Sequence, residues 1–293
     1  MKIASCSIIR LENLYIREFV EHQKIIGFDK VFIYDHNLPD GEHLEDVIDD
    51  YIDSGFVEVV DFREGHQVGP AVMEAFQHCY DTQRDSYDWI LFCDIDEYLT
   101  LVYDENVKDY LNREEIRYAN IIKINWMCFD DNDYLTYENI PLNKRFLRTC
   151  GEHPLLFKEN LHIKSFINCK TDNVNWINGG AHCPCRFIEP NKERGTYDFR
   201  KIVINNAGYE MREQDQHRES KLRYINYDLA YLKHFRMKTI EEYVRNKRAK
   251  LTDQGYDYID FDLELFFRYN KKTDKKKQIY DKLINESCST SCS

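Results

Sequence analysis

Trp89-Ile90-Leu91-Phe92-Cys93-Asp94-Ile95-Asp96-Glu97-Tyr98-Leu99 is the stretch on which the reading of this chain turns. Its first five residues are apolar at every position, not at every second one. That is the pattern of a strand buried on both faces, as in the interior of a parallel sheet. Reading back towards the N-terminus, Lys2–Ile9 is another short apolar run, and Lys30–Tyr34 and Val57–Val60 are two more. Helical spacing separates them: Ile16, Phe19, Val20 and Ile26 behind Asn13 as cap with Gly27 as stop, then Leu44, Val47, Ile48 and Tyr51, then Ala71 to Tyr80. Strand and helix in alternation predict an α/β fold with a Rossmann-like, mostly parallel sheet and helices on both faces. Ligands of such sheets bind beyond the C-terminal ends of the strands.

After residue 105 the pattern loosens. Ile121–Trp126 reads as a strand, and the short apolar runs from Asn143 to Arg200 read as an antiparallel elaboration. Met237–Leu251 and Asp262–Ile284 read as helices, the second crossing the basic run Lys271-Lys272-Thr273-Asp274-Lys275-Lys276-Lys277. These patterns predict one domain over residues 1–255 and a helical C-terminal extension over 256–293.

The chain has 293 residues, with 52 Asp and Glu against 40 Lys and Arg, a formal charge of −12. That balance argues against a nucleic-acid binder, which needs a basic face to displace phosphate counterions. The first ten residues hold an apolar run too short for a signal-peptide core, and no run approaches the length of a membrane span. Ten scattered cysteines without a secretory signal point to a reduced, cytoplasmic setting. His182-Cys183-Pro184-Cys185 lacks the spacing and the second pair of a zinc site.

The chemistry gathers at the strand ends. Asp94 and Asp96 follow the apolar strand directly, and extended alternation puts both carboxylates on one side. Two hard oxygen ligands there suit Mn²⁺ or Mg²⁺ completed by substrate phosphates, against the alternative of an acidic turn that caps a helix. The first strand ends in Arg10-Leu11-Glu12-Asn13 and the second in Asp35-His36-Asn37. An acid after the second strand can hold ribose hydroxyls, or simply form a turn. No glycine-rich phosphate loop is present, so a diphosphate would need a metal. His234, followed by Arg236 and Lys238, offers an imidazole ligand and cations for phosphate, or a structural histidine.

These residues, in this order, resemble glycosyltransferase family 92 and its bacterial relatives in the family 2-like group. The resemblance runs through Arg10-x-Glu12-Asn13-x-Tyr15-x-Arg17-Glu18-Phe19, through Tyr34-Asp35-His36-Asn37, and through Asp94-Ile95-Asp96-Glu97-Tyr98 with Trp89 and Phe92 before it. It closes on Lys233-His234-Phe235, Lys238 and Glu241-Glu242-Tyr243 with Lys247, and covers roughly residues 3–250. It implies a GT-A fold, a nucleotide-diphosphate sugar donor and a divalent metal held by Asp94, Asp96 and His234. By the same resemblance Arg10, Glu12 and Asp35 line the nucleotide pocket, and Gln67 and Lys238 join the donor site. Trp126-Met127-Cys128-Phe129-Asp130-Asp131 departs from the family's pattern where an acceptor would approach, so the acceptor, a glycan or a lipid-linked glycan, is not carried over.

Inverting transfer, which the resemblance favours, needs a base for the acceptor hydroxyl. Asp130, Asp131 and Glu152 are candidates, with Asp130 first because it follows the strand adjoining the site. Two other classes compete: a metal-dependent phosphohydrolase or nucleotidyltransferase, and a non-catalytic carbohydrate- or nucleotide-binding module. The basic run beside Leu265-Phe266-Phe267 suits either a solvated helix face or peripheral contact with an anionic membrane.

Overall fold

Trp89, Ile90, Leu91 and Phe92 form strand β4 (Trp89–Phe92), and every one of them is buried. The structure, a computed structural model, describes residues 1–172, 174–177, 179–184, 202–211, 221–248 and 262–290. Alternate side chains of β4 enter two cores. Phe92 meets Phe76 at 5.1 Å and Trp176 at 4.7 Å between ring centroids, whereas Trp89 meets Phe166 at 6.5 Å. Phe76 comes from helix α3 (Val68–Gln83), whose Gln77 side chain also accepts the Trp176 backbone N–H at 2.7 Å.

The other strands arrange themselves around β4. Strands β1 (Ile3–Ile9), β2 (Lys30–Asp35) and β3 (Val57–Asp61) lie to one side, with β1 parallel to β2 and β4, and β2 parallel to β3. On the other side β7 (Ile163–Asn168) runs antiparallel to both β4 and β6 (Ile121–Cys128), and β8 (Val203–Asn205) adds in parallel to β6. Strands β9 (Ala230–His234) and β5 (Glu97–Leu101) complete the order β3-β2-β1-β4-β7-β6-β9-β5. The α/β expectation holds, with parallel pairing through the first half and antiparallel pairing at β7.

Helix α1 (Asn13–Ile25) buries Ile16, Phe19 and Val20, and Gly27 after it adopts φ +94°. The cap is Glu12, not Asn13, because the Asn13 side chain instead donates to the His43 carbonyl at 2.9 Å. Helices α2 (Glu45–Asp53) and α4 (Val107–Asn112) follow β2 and β5.

By their contacts the residues form two compact units, and the expected boundary at 255 lies outside the described residues. One comprises Met1–Trp126 and Lys158–Lys233, the other Met127–Phe157 and His234–Ser293. The physical reason for this division lies in buried ion pairs inside the second unit. Arg145, on the short helix α5 (Leu142–Arg145), meets Glu242 at 2.7 Å, and Glu242 also closes the capping box of α6 (Ile240–Glu242) with Thr239. Asp131 meets Lys276 at 2.6 Å. That contact binds residues 127–157 to the C-terminal helices α7 (Asp262–Tyr269) and α8 (Asp274–Thr290), which break at Asn270–Thr273 instead of running on. The basic run is accordingly mixed: Lys271, Lys272, Lys275 and Lys277 are exposed, and Lys276 is buried. The expected helix from Met237 narrows to α6 and a turn of π-helix over Tyr243–Arg248, and residues 249–251 lie outside the described residues.

The histidine of α1 ties stability to pH. His22 Nε2 lies 2.9 Å from the Leu99 carbonyl, and burial pushes its pKa down to about 4, beyond what that backbone bond restores. The unfolded chain binds this proton near pH 6.5. Between pH 6.5 and about 4 the unfolded state therefore holds more protons, and stability falls as pH falls. Acidification across that window is expected to remove roughly 1–3 kcal/mol through this group. His22→Gln should flatten that stretch of the stability curve in denaturant titrations.

Candidate functional site

In the first unit, β1, β2 and β4 deliver their polar residues to one edge of the sheet. Asp94 does not continue β4 as extended chain: Ile95 and Asp96 form a turn into β5, with Ile95 buried. The two carboxylates consequently differ in environment. Asp94 keeps 44% of its side-chain surface, whereas Asp96 is 7% exposed and Glu97 fully buried. Glu97 Oε2 accepts the Asp94 backbone N–H at 3.0 Å, which fixes the turn.

A residue that the sequence reading missed stands among these acids. Lys164, from β7 and 1% exposed, places Nζ 3.0 Å from Asp94 Oδ2 and 4.0 Å from Glu97 Oε1, and donates to the Ala181 carbonyl at 3.3 Å. Burial pulls the Lys164 pKa down, but the facing carboxylates outweigh it and the net shift is upward. Glu97 moves the other way from ordinary: burial raises it well above the usual carboxylate range, only partly offset by Lys164. Its Oε1 is buried with no hydrogen-bond partner. A carboxylate oxygen of Asp96 and one of Glu97 lie within 4.8 Å of each other, close enough to share an ion. Three acids against one ammonium, with an orphaned oxygen among them, form a donor set that could hold a hard divalent cation.

The ends of β1 and β2 are cross-linked by Asp35. Its Oδ1 accepts the Asn37 backbone and side-chain N–H groups at 3.0 and 2.7 Å, and its Oδ2 accepts Arg63 at 2.6 and 3.1 Å. Arg63 also donates to the carbonyls of Leu38 and Glu42. Asn37 Oδ1 in turn accepts the Leu11 N–H at 2.8 Å, holding that residue at φ +54°. A left-handed leucine costs about 1–2 kcal/mol, so the chain bends here against its preference. This bend separates Arg10, partly exposed at the end of β1, from Glu12, buried at the start of α1. Gln67 is exposed at the cap position of α3, where its side chain makes no capping bond.

The remaining expected residues belong to the second unit. His234 is the last residue of β9 and buried, and its carbonyl accepts the Phe129 N–H at 3.1 Å. Lys238 is buried with φ +56°, just before the Thr239 cap of α6. Asp130 is held on both oxygens: Oδ2 accepts Arg148 at 2.6 Å and Oδ1 accepts the Asn132 N–H at 2.8 Å. Asp131 is committed to Lys276, and Glu152 is exposed. Cys183 is buried, and Cys185 lies outside the described residues.

A comparison with known families places this geometry. The profile of glycosyltransferase family 92 matches residues 7–248. The chain belongs to glycosyltransferase family 92. Family 92 proteins of Ricinus communis and of Oryza sativa subsp. japonica are 29% identical over 126 residues and 28% identical over 116. The matches cover 42% and 38% of this chain, and 21% and 18% of those proteins. The chain therefore spans about a fifth of the length of the curated relatives it matches. Among solved structures, residues 1–349 of S. aureus TarS are similar over 99% of this chain and 72% of that one, at 13% identity and a TM-score of 0.43.

Lys164→Met would leave Glu97 and Asp94 without their buried counter-charge. The expected loss is about 3–5 kcal/mol of unfolding free energy in guanidinium titrations. Adding Glu97→Gln should restore part of it, whereas Lys158→Met, on an exposed lysine, should change stability by less than about 0.5 kcal/mol.

Proposed function

We propose that this chain transfers a sugar from a nucleotide-diphosphate donor to a hydroxyl of a glycan or lipid-linked glycan, with inversion and with a divalent cation, Mn²⁺ or Mg²⁺. The observation that carries this reading is the acidic turn after β4 in a chain of family 92. Asp94 and Asp96 are the carboxylate ligands in this reading, and His234 is the imidazole that the resemblance adds. The bound cation would supply positive charge to the diphosphate leaving group as its own charge develops.

The chain's own groups do the rest. Arg10, Glu12 and Asp35 bind the nucleotide at the ends of β1 and β2, and Gln67 joins them from the start of α3. Arg63 keeps the Asp35 carboxylate oriented. Lys238 neutralises phosphate. Asp130 takes the proton of the acceptor hydroxyl, and its bond from Arg148 orients it. This role depends on close placement of the carboxylate against the hydroxyl.

Incubation with Mn²⁺ and a panel of nucleotide sugars should release a nucleoside diphosphate from one of them. Chelation should abolish the release and added Mn²⁺ restore it. Asp96→Asn should lower it by roughly 100-fold or more and weaken Mn²⁺ binding measured by electron paramagnetic resonance. His234→Ala with unchanged Mn²⁺ affinity would remove that ligand alone. Release of inorganic phosphate would replace this reading with a phosphohydrolase, and turnover undiminished by chelator would remove the metal.

Peripheral contact with an anionic membrane is a further part of the proposal, carried by the exposed Lys271, Lys272, Lys275 and Lys277. Co-sedimentation with phosphatidylserine vesicles should fall when these four become Gln. Equal sedimentation of both proteins would dismiss the contact. No described helix is long and apolar enough to cross a membrane.

A further inference from the structure

Three leucines of the second unit stand open to water: Leu147 at 63%, Leu155 at 50% and Leu156 at 75%. An exposed leucine by itself is ordinary. What distinguishes these is their backbone. The Leu155 N–H donates to His153 Nδ1 at 3.2 Å and the Leu156 N–H to the His153 carbonyl at 2.9 Å, within a turn of 3-10 helix over Pro154–Leu156. The Leu147 N–H donates to Asn132 Oδ1 at 3.1 Å, an oxygen that also accepts the Arg148 N–H at 2.8 Å. A turn that stays in water can leave such groups to solvent. One that enters the boundary between lipid headgroups and hydrocarbon has to satisfy them within the chain.

Hydrogen bonds and ring contacts bring these leucines and a set of cations to one part of the second unit. Asn132, which holds Leu147, follows Asp131, whose N–H donates to Asn270 Oδ1 at 2.8 Å. Tyr269, just before Asn270, meets Phe157 at 5.4 Å between ring centroids, and Phe157 directly follows Leu156. Gly151 turns the chain between the leucines at φ +74°, where a side chain would crowd the Phe157 ring. Beyond Asn270 come the exposed Lys271, Lys272, Lys275 and Lys277. Buried Lys276 ties them back, donating to the Lys271 carbonyl at 3.1 Å and meeting Asp131 at 2.6 Å.

The exposed charges over residues 271–277 are four lysines and Asp274, in a chain whose formal charge is −12. The leucine loop adds exposed Arg148 and Glu152, of opposite sign. Apolar side chains beside a local excess of cations suit an anionic bilayer, whose headgroups meet the ammonium groups while its hydrocarbon takes the leucines. A two-fold-related copy of the chain on the same face would instead set lysines against lysines.

From this juxtaposition we infer that the Leu155–Leu156 turn, together with Leu147, inserts into the headgroup–hydrocarbon boundary of an anionic phospholipid bilayer and docks the second unit there. The inference rests on the peripheral contact proposed for the lysines and adds to it an apolar part that salt does not screen. Each leucine withdrawn from water strengthens partitioning roughly tenfold.

The full chain is sedimented with phosphatidylcholine vesicles containing phosphatidylserine, in low salt and in about 1 M KCl, where the screening length falls to about 3 Å. Binding should survive the salt in part. Leu155→Ser with Leu156→Ser should weaken it about tenfold or more and remove the surviving part. Leu156→Trp should add emission that shifts to the blue on these vesicles and is quenched by lipids brominated in their acyl chains, beyond any change in the unsubstituted chain. Thermal unfolding of each variant checks that the fold persists. Equal binding by the double-serine variant, or added emission indifferent to brominated lipid, would overturn the insertion and leave the lysine contact standing. Failure of the unsubstituted chain to sediment with the vesicles would remove both. A dimer in analytical ultracentrifugation that the two serines dissociate, without vesicle binding, would assign the leucines to a second copy instead.

Discussion

An ammonium group withdrawn from water costs several kcal/mol unless carboxylates compensate it at close range. Lys164 meets that condition between Asp94 and Glu97. The acids in turn need the lysine, which offsets part of the upward push that burial gives Glu97 and answers the mutual repulsion of neighbouring carboxylates. This mutual requirement fixes β7 against β4, holds the turn after β4 in its folded form, and leaves a surplus of carboxylates over ammonium at the C-terminal end of that strand. A divalent cation placed there would complete a balance that the protein has met only in part.

The network around Asp35 obeys the same rule with different partners. A carboxylate that lies almost wholly inside the protein is saturated by one guanidinium and one asparagine, and the asparagine passes the constraint on to the left-handed Leu11. Strained backbone at the end of a strand persists only where its surroundings over-determine it. Here that strain sits between two residues expected to face the nucleotide. The second unit is held by the same kind of interaction, with Arg145 against Glu242 and Lys276 against Asp131.

Much of this was legible in order along the chain. The continuous apolar run of β4, the helical stripe Ile16-Phe19-Val20 and the stop at Gly27 are local signals, and each forms the element it predicts. The acids after β4 were legible because they follow it directly. Their geometry was not, since Ile95 turns inward instead of continuing the alternation. What escaped the sequence is everything that depends on a partner far along the chain. Lys164 lies 70 residues from Asp94, and Arg63 lies 28 residues from Asp35. A lysine inside Ile163-Lys164-Ser165-Phe166 was a signal of sorts, because a charge in an apolar strand requires a buried counter-charge. The course of residues 127–157 was hidden for the same reason: the lysine that anchors them lies in a run that reads as uniformly solvated.

The edge of the sheet at β3 has a bearing on handling the protein. An unpaired strand edge offers hydrogen bonds to any other extended chain, and short, charged edges discourage that pairing. β3 is five residues long, and it carries exposed Glu58, paired with Lys30 at 3.2 Å, and exposed Asp61, whose carboxylate already accepts the Arg63 N–H. A second copy approaching edge to edge would bring like charges together in a chain that is already strongly anionic. Concentrated solutions should resist fibril-like association along this strand without any additive to suppress it.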